Sequence, residues 1–486
     1  MAINPLMPAP SHQHVPLQIP VSSSCLIALG ILVALGGVFM ALAAYKVLPS
    51  YVNGLSRLNE TGESVSVTVA ILGIVVTVAG GIFWATQKRA DNKIPQASVV
   101  ASTCRDRIAA RLLGIASLAT EPVIAFREAR VDIYDVPGNL PQHPPASLKT
   151  LRKVAHVVLG VLGLLTLAPV AGMGLRALAG RITPQNFVLY RSPCPSPYER
   201  SLRGRISSIF LNLCGVVGGY NKTDGGVPHW RERLGNIIGV IQSQPDVCML
   251  GLAEVFDYDC GYEIKKCLAY LGYSYFVDNA GACALVGAGT FFASKHPIVD
   301  TDFVPFVGNT GRSSGANKGS LLVTVRDKQD HLFQVGVQHW THSEIVNHPT
   351  EAEKAARLTQ AKQTLAQMQR KQRVNTPILQ MGDLNCDCTE LCAMDLGKGQ
   401  STQDLFHVAE TGSTWGGDAW SALYSRKQAS FGQVLDFGLL YKDGICPDAS
   451  IKVTVLDSYF DATKAPCDQD PRIVSDHYPL LIEVIV

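Results

Sequence analysis

Ile378-Leu379-Gln380-Met381-Gly382-Asp383-Leu384-Asn385 is a short, largely apolar run that stops on a carboxylate and an amide. Its length and its turn-forming end fit a buried strand, which puts Asp383 and Asn385 where that strand stops. By itself the Gly-Asp-Leu-Asn quartet reads equally well as an ordinary turn, since Gly, Asp and Asn are the usual turn residues. Four more motifs repeat the arrangement in or beside apolar runs: Leu211-Asn212, Ala253-Glu254-Val255, Leu435-Asp436-Phe437 and Ser475-Asp476-His477. Each has a bland alternative. Asp436 reads as the partner of an arginine, and Ser475-Asp476-His477 as a loop before the last strand. Glu254 is harder to dismiss, because burying an unpaired ionised group at the end of an apolar run is costly. Five such coincidences are much harder to accept than one.

The residue types suit one chemistry. Hydrolysing a phosphate ester calls for a hard, oxygen-ligated cation, which Mg²⁺ satisfies with one or two carboxylates while keeping several waters. Glu254 suits that role, with Mn²⁺ as a substitute ion. The cation neutralises charge growing on the phosphoryl oxygens, while a base takes the proton of the attacking water. Asp383 and His477 are the candidates for that base. A carboxylate bonded to the other nitrogen of a histidine ring supports its charged form, and Asp436 fits as that partner. Asn212 and Asn385 are neutral amides able to donate to a phosphoryl oxygen or to ligate through the carbonyl.

Taken in order, these motifs resemble the endonuclease/exonuclease/phosphatase superfamily, and within it the membrane-anchored neutral sphingomyelinases, over about residues 186–486. Other stretches share the likeness: Glu254-Val255-Phe256-Asp257, Thr290 to Ile298 with its Ser-Lys-His-Pro-Ile turn, Lys318-Gly319 at a strand start, and Arg357-Leu358-Thr359-Gln360. The resemblance implies a four-layer sandwich of two β-sheets flanked by helices, with the motif residues meeting at one edge. It implies that Glu254 ligates Mg²⁺ with Asn212 close by and Asp476 near the metal. Asp383 and Asn385 would orient the water and the phosphate, His477 would be acid or base beside Asp436, and Lys318 would contact substrate. It also implies a membrane phospholipid or sphingolipid as substrate.

Two departures stand out. The family usually carries Thr-His-Leu where this chain has Gln338-His339-Trp340-Thr341-His342, so the threonine is missing and His342 rivals His339 as the phosphate contact. His339 is favoured because it directly follows the apolar run 333–338. The membrane-type enzymes also carry an aspartate five residues before the lysine, proposed to switch the site on, whereas here that position is Ser313. The Trp-Cys-Asp-Arg signature of inositol polyphosphate 5-phosphatases is absent. The sequence has Val434-Leu435-Asp436-Phe437-Gly438 in its place.

Ahead of this region the texture changes. Residues 25–44 and 65–85 are uncharged apolar runs of 20 and 21 residues. At 1.5 Å per residue each is as long as the hydrocarbon core of a bilayer is thick. The first 24 residues lack Lys and Arg, unlike a secretory signal, so the pair is expected to be a permanent anchor. A close apolar pair also resembles the bilobed region of inclusion-membrane proteins of intracellular bacteria, which makes a host-derived inclusion membrane one expected address. A third run, 155–175, contains His156 and Pro169 and reads as a span, a re-entrant segment or a core helix. Residues 98–118 read as an amphipathic helix carrying Arg105, Arg107 and Arg111, and 137–145 as a loop. The expected divisions are a tail at 1–24, the helical anchor at 25–85, a polar and basic linker at 86–153, a juxtamembrane segment at 154–185 and the catalytic region at 186–486.

Charge helps to choose among substrates. Residues 1–185 hold 15 Lys/Arg against 8 Asp/Glu, and the rest 27 against 32, a net of −5. Nucleic-acid binding ordinarily shows a basic face, so an acidic region tethered to a bilayer favours a lipid headgroup. Thirteen cysteines, an odd number, argue against a complete disulfide framework. Cys386, Cys388 and Cys392 lack a fourth ligand at zinc-like spacing and read as free thiols. Strands are expected at 207–213, 247–252, 290–293, 320–325, 333–338, 378–381, 434–440 and 480–486, with helices at 232–242, 263–271 and 351–369. Alternating strands and helices indicate a layered α/β domain.

Overall fold

The computed structural model describes residues 96–130, 168–183, 187–193, 200–216, 230–281, 286–344, 348–409, 412–415, 433–443, 449–456 and 474–486. The chain divides into two compact units, Met1–Arg89 and Ala90–Val486. The first unit, the apolar runs 25–44 and 65–85, the loop 137–145 and residues 155–167 of the third run lie outside the described residues. Among the described residues no helix is long and apolar enough to cross a membrane.

Two sheets form. β1 (Val100–Ala101), β2 (Val188–Arg191), β3 (Arg205–Gly215), β4 (Met249–Val255), β5 (Tyr275–Asp278), β6 (Phe291–Ser294), β13 (Ser450–Val455) and β14 (Leu480–Ile485) give one of order β1-β2-β5-β6-β4-β3-β14-β13. β7 (Ile298–Pro305), β8 (Gly319–Arg326), β9 (Leu332–His339), β10 (Ile378–Asp383), β11 (Phe406–Val408) and β12 (Asp436–Tyr441) give the other, of order β11-β12-β10-β9-β8-β7. Both are mixed: β3 runs parallel to β4 and β9 to β10, while the remaining neighbours are antiparallel. The helices are α1 (Cys104–Arg130), α2 (Ala168–Ile182), α3 (Trp230–Gln242), α4 (Tyr258–Tyr270), α5 (Glu351–Lys371), α6 (Cys388–Ala393) and α7 (Thr402–Leu405).

Four layers follow from where apolar side chains go. Phe210, Met249 and Phe292 of the first sheet pack with Leu321, Val335 and Met381 of the second, which forms the central core. The outer side of the first sheet is covered by α1, α3 and α4 through Leu113, Ile237 and Leu268. Met368 of α5 and Leu391 of α6 cover the second sheet beside Leu439. Strands β3 and β10, buried along nearly their whole length, read as continuous apolar runs because both their faces are covered. Gly251 permits the close approach of the sheets, since a Cβ there would lie 2.7 Å from Met381 Cε and 2.9 Å from Val337 Cγ2.

Several elements differ from expectation. The helix expected over 98–118 starts at Cys104 and runs to Arg130. Thr103 Oγ1 accepts from the Asp106 N–H at 3.0 Å while Asp106 Oδ2 accepts from the Thr103 N–H at 3.1 Å, a reciprocal cap that starts the helix there. Residues Val100–Ala101 instead add a strand to the edge of the first sheet. The described end of the third apolar run lies in α2, which begins at Ala168 with Pro169 in its first turn, where a missing N–H costs nothing. Helix α4 begins five residues earlier than expected because Asp257 caps it, accepting from the N–H groups of Asp259 and Cys260.

One polar knot ties the second sheet to the start of β3. Asp327 accepts from the N–H groups of Leu202, Gln329 and His331 at 2.9, 2.8 and 2.8 Å, and its Oδ2 lies 2.8 Å from His331 Nδ1. Burial raises its carboxyl, but these donors outweigh burial and hold it down at about 2. A folded-state value below the ordinary 3.8 gives stability that is present above pH 4 and lost as pH falls through 2. Asp327→Asn is expected to lower the unfolding free energy at pH 7 by about 2 kcal/mol in urea titrations. The gap from the unaltered chain should close between about pH 4 and 2, and a gap independent of pH would refute the assignment.

Candidate active site

Strand register brings the motifs together. Parallel pairing of β10 with β9 sets Asp383 opposite His339, and antiparallel pairing with β12 sets Asp383 opposite Asp436. Three chemical residues thus stand side by side at one end of the second sheet. The first sheet supplies Asn212 and Glu254 from its parallel neighbours β3 and β4, while β14, antiparallel to β3, follows closely after His477.

Asn212 lies at the centre. Its Nδ2 donates to Asp383 Oδ2 at 2.8 Å and to Glu254 Oε1 at 3.3 Å, and lies 3.4 Å from His477 Nε2. Its Oδ1 accepts from the Cys214 N–H at 3.0 Å, so the amide nitrogen rather than the carbonyl faces the carboxylates. His477 Nδ1 is 2.8 Å from Asp436 Oδ2, and its Nε2 is 3.9 Å from Asp383 Oδ2. Asp436 therefore pairs with a histidine rather than an arginine. His339 Nε2 stands 3.6 Å from Glu254 Oε1 and 3.7 Å from Asp383 Oδ2. Of the two rival histidines, His339 is the one in this cluster, whereas His342 Nδ1 lies 2.8 Å from Ser313 Oγ.

The backbone is shaped for the site. Glu254 and Asn385 adopt φ of 58° and 51°, in the left-handed region, which a glutamate rarely occupies. The turn re-aims each side chain at the end of its strand. The Asn385 N–H donates to Asp383 Oδ1 at 3.0 Å and its Nδ2 to the Trp340 carbonyl at 3.2 Å, which braces the β10 end against the β9 end. Lys318 Nζ donates to that same carbonyl at 2.6 Å and lies 2.9 Å from His339 Nε2. Asp476 belongs to neither group of facing ligand atoms, its Oδ1 accepting from Ser475 Oγ at 3.0 Å, and its charge is felt by both Glu254 and His477.

Burial and crowded charge displace the titrations. Burial pushes Glu254 up, reinforced by Asp476 and opposed by Lys318. Burial likewise pushes Asp383 to about 7, with His477 pulling down and Asp436 pushing further up. Burial works to discharge His477, but Asp436, Asp476 and Asp383 outweigh it and hold the ring charged well above the usual range. Burial lowers Lys318 to about 8 against the pull of Glu254 and Asp383. His339 is kept neutral by burial and then by Lys318.

A divalent cation fits this donor set. Glu254, His339 and Asp383 offer ligand atoms within 4.8 Å of one another, as do Asp383, Asp436 and His477. Asp436 Oδ1 and His339 Nδ1 are buried without hydrogen-bond partners among the described residues. Carboxylates forced together and driven toward neutrality by burial are relieved by positive charge. Of the three cysteines after Asn385, Cys386 is buried, and Cys388 Sγ lies 3.6 Å from Cys392 Sγ.

Sequence reading missed Thr414 and Trp415. Thr414 Oγ1 accepts from the N–H groups of Leu435 and Asp436 at 2.9 and 3.1 Å, and the Thr414 carbonyl accepts from the Tyr478 N–H at 2.8 Å. Trp415 bridges by backbone to both Gln433 and His477. This fully buried threonine positions Asp436 and His477 relative to each other. The only local signal was a Thr-Trp pair after a glycine and a serine, with no apolar run to mark it as structured.

No protein-family model matches the sequence, and comparison with curated proteins gives no match. Among solved structures, SmcL is similar at 17% identity and a TM-score of 0.45, covering 58% of this chain and 99% of that one. A sphingomyelinase C from Streptomyces griseocarneus is similar at 17% identity and a TM-score of 0.41, with the same coverage. TDP2 of D. rerio complexed with single strand DNA product is similar at 13% identity and a TM-score of 0.39, again over 58% and 99% of the two chains.

Proposed function

We propose that this chain is a membrane-anchored, Mg²⁺-dependent phosphodiesterase that hydrolyses a lipid headgroup ester, acting on sphingomyelin to leave ceramide and release phosphocholine. The observation that carries this reading is the meeting of Asn212, Glu254, His339, Asp383, Asp436 and His477 at one end of both sheets, within hydrogen-bonding or ligand distance. Glu254 and Asp383 are the residues to hold the divalent ion. When bound, that ion neutralises charge developing on the phosphoryl oxygens. Asp383 turns a carboxylate oxygen toward the cluster and is placed to align the attacking water. Asn212 Nδ2, donating to both Asp383 and Glu254, holds the two carboxylates together, and Lys318 Nζ is placed to meet a phosphate oxygen. His477 Nε2 is the atom that exchanges a proton with the substrate. Its carboxylate neighbours favour the charged ring, which gives it the acid's part toward the leaving oxygen.

The acidic balance of residues 186–486 and the two bilayer-length apolar runs favour a lipid over a nucleic acid. An inactive interaction module has no chemical need for the complete set of side chains. The full chain should be offered labelled sphingomyelin, a phosphoinositide and an abasic DNA duplex in parallel, with Mg²⁺, with Mn²⁺ and with chelator. Metal-dependent release of phosphocholine from sphingomyelin is expected. Turnover of DNA without lipid would overturn the substrate assignment, and no turnover of any of the three would favour the binding module.

A further inference from the structure

Strand β3 and the segment ahead of β14 carry two sides of the site, yet the sheet stops short of joining them there. The antiparallel ladder between β3 and β14 ends at Phe210 and Leu480, so Asn212 and His477 both lie past its last pair. His477 is tied to the second sheet by Asp436 at 2.8 Å and by the backbone bridge to Trp415. A tie to the first sheet, which holds Asn212 and Glu254, is supplied by helix α3. Arg233 of that helix is fully buried. Its Nη1 donates to the Leu213 carbonyl at 2.8 Å and to the Val474 carbonyl, while Nη2 donates to the Cys214 carbonyl at 2.9 Å. Leu213 and Cys214 directly follow Asn212, and Val474 directly precedes Ser475-Asp476-His477.

Anchoring α3 does not require an arginine. Trp230, Leu234, Ile237 and Ile241 already bury the helix on the first sheet, and a buried guanidinium is costly unless its donors are met. What the planar fork adds is a fixed angle between acceptors from two separate segments, which the point charge of a lysine cannot hold. The acceptors are shaped for it. Pairing of β3 with β4 slips between Asn212 and Gly215, and Cys214 stands in the left-handed region at φ 50°. The Cys214 N–H is spent on Asn212 Oδ1. The turn that offers two carbonyls to Arg233 therefore also aims the Asn212 amide at the carboxylates and at His477 Nε2, 3.4 Å away. We propose that Arg233 is a positioning residue for the hydrolysis, its guanidinium fixing the gap between Asn212 on the metal side of the site and His477 on the proton-transfer side. The inference rests on the hydrolase reading above, in which His477 is the acid toward the leaving oxygen.

The full chain is compared with Arg233→Lys, which keeps the charge and loses the fork, and with Arg233→Met as a second variant. The leaving group of sphingomyelin is an alkoxide that needs a proton, whereas p-nitrophenyl phosphocholine releases a phenolate that needs none. With Mg²⁺, kcat on sphingomyelin is expected to fall about 10²-fold in Arg233→Lys at little changed KM, and kcat on the nitrophenyl ester by less than about tenfold. A nuclear Overhauser contact between the Asn212 amide and the His477 ring, read in the full chain labelled at Asn, His and Trp, is expected in the unaltered protein and lost in Arg233→Lys. The Trp340 indole N–H, which donates to Gln338 Oε1 at 2.7 Å, should keep its resonance and so report an intact fold. Equal losses on the two substrates, a contact retained in both variants, or two variants that both unfold would overturn the proposal. If the unaltered chain turns over neither ester, the hydrolase reading fails, and the Asn212 contact alone decides for or against the clamp. Turnover with an unmoved contact would sink the clamp alone.

Discussion

Asp383→Ala is expected to lower kcat/KM for the phosphodiester by about 10⁴-fold or more while leaving the protein folded. The carboxylate faces Asn212 at 2.8 Å, His339 at 3.7 Å and His477 at 3.9 Å, so on the proposed reading its loss removes a cation ligand and the group that orients the water together. His477→Ala should cost a comparable factor. The double variant should be scarcely worse than either single one, because groups that act as a unit lose their joint effect once. A purely structural role predicts a different outcome, in which activity falls in step with stability. The electrostatics point the other way. Asp383, raised to about 7, and Glu254, also raised, bind more protons folded than unfolded above the ordinary carboxylate range. His477, raised as well, favours the folded state fully below about 6.5 and loses that contribution as pH rises further. All three signs agree: in chelator, stability should decline as pH rises from about 4 to 7 and beyond. Asp383→Ala should flatten that decline, and Mg²⁺ should reverse it in the unaltered chain. Metal-free stability that rises over this window, or a variant unfolded at pH 7, would refute the assignment.

The ends of strands were legible because burial on both faces writes a strand as an apolar run, and a polar residue closing such a run is conspicuous. Asp383, Glu254 and His339 were each visible in this way. What joined them was not. Side-by-side placement of His339, Asp383 and Asp436 depends on the order β9-β10-β12, pairings between residues about 40 to 60 positions apart that no local pattern encodes. Half-buried strands escaped for the converse reason. β13 and β7 are mostly only partly buried along their length, and β1 has two residues, so none presents an apolar run. The start of α1 was readable in principle, since Thr103 and Asp106 have capping-box spacing. Amphipathic periodicity outweighed that cue and drew the expected helix too far toward its N-terminus. Thr414 was beyond reach, because its role comes from two backbone N–H groups on a strand some twenty residues away.

Asp436→Asn isolates the proton-transfer role from metal binding. Asp436 is fully buried, held at its backbone by Thr414, and its Oδ2 lies 2.8 Å from His477 Nδ1. An asparagine keeps the volume. It either accepts through a neutral carbonyl, with a weaker bond to a charged ring, or presents an N–H that forces the other tautomer. In both cases His477 loses the largest support for its charged form, while the burial that opposes that form remains. The ring should therefore titrate lower, and kcat should fall by about 10²- to 10⁴-fold near neutral pH. The sign can be read in the pH profile. An acid that must be protonated is active below its pKa, so the alkaline limb of kcat/KM should move to lower pH in the variant. Mg²⁺ affinity, measured by its effect on thermal unfolding, should change little, because Glu254 and Asp383 remain in place. An unmoved alkaline limb alongside reduced activity would mean that Asp436 only orients the ring. Loss of Mg²⁺ affinity without a pH shift would transfer Asp436 from the histidine to the metal.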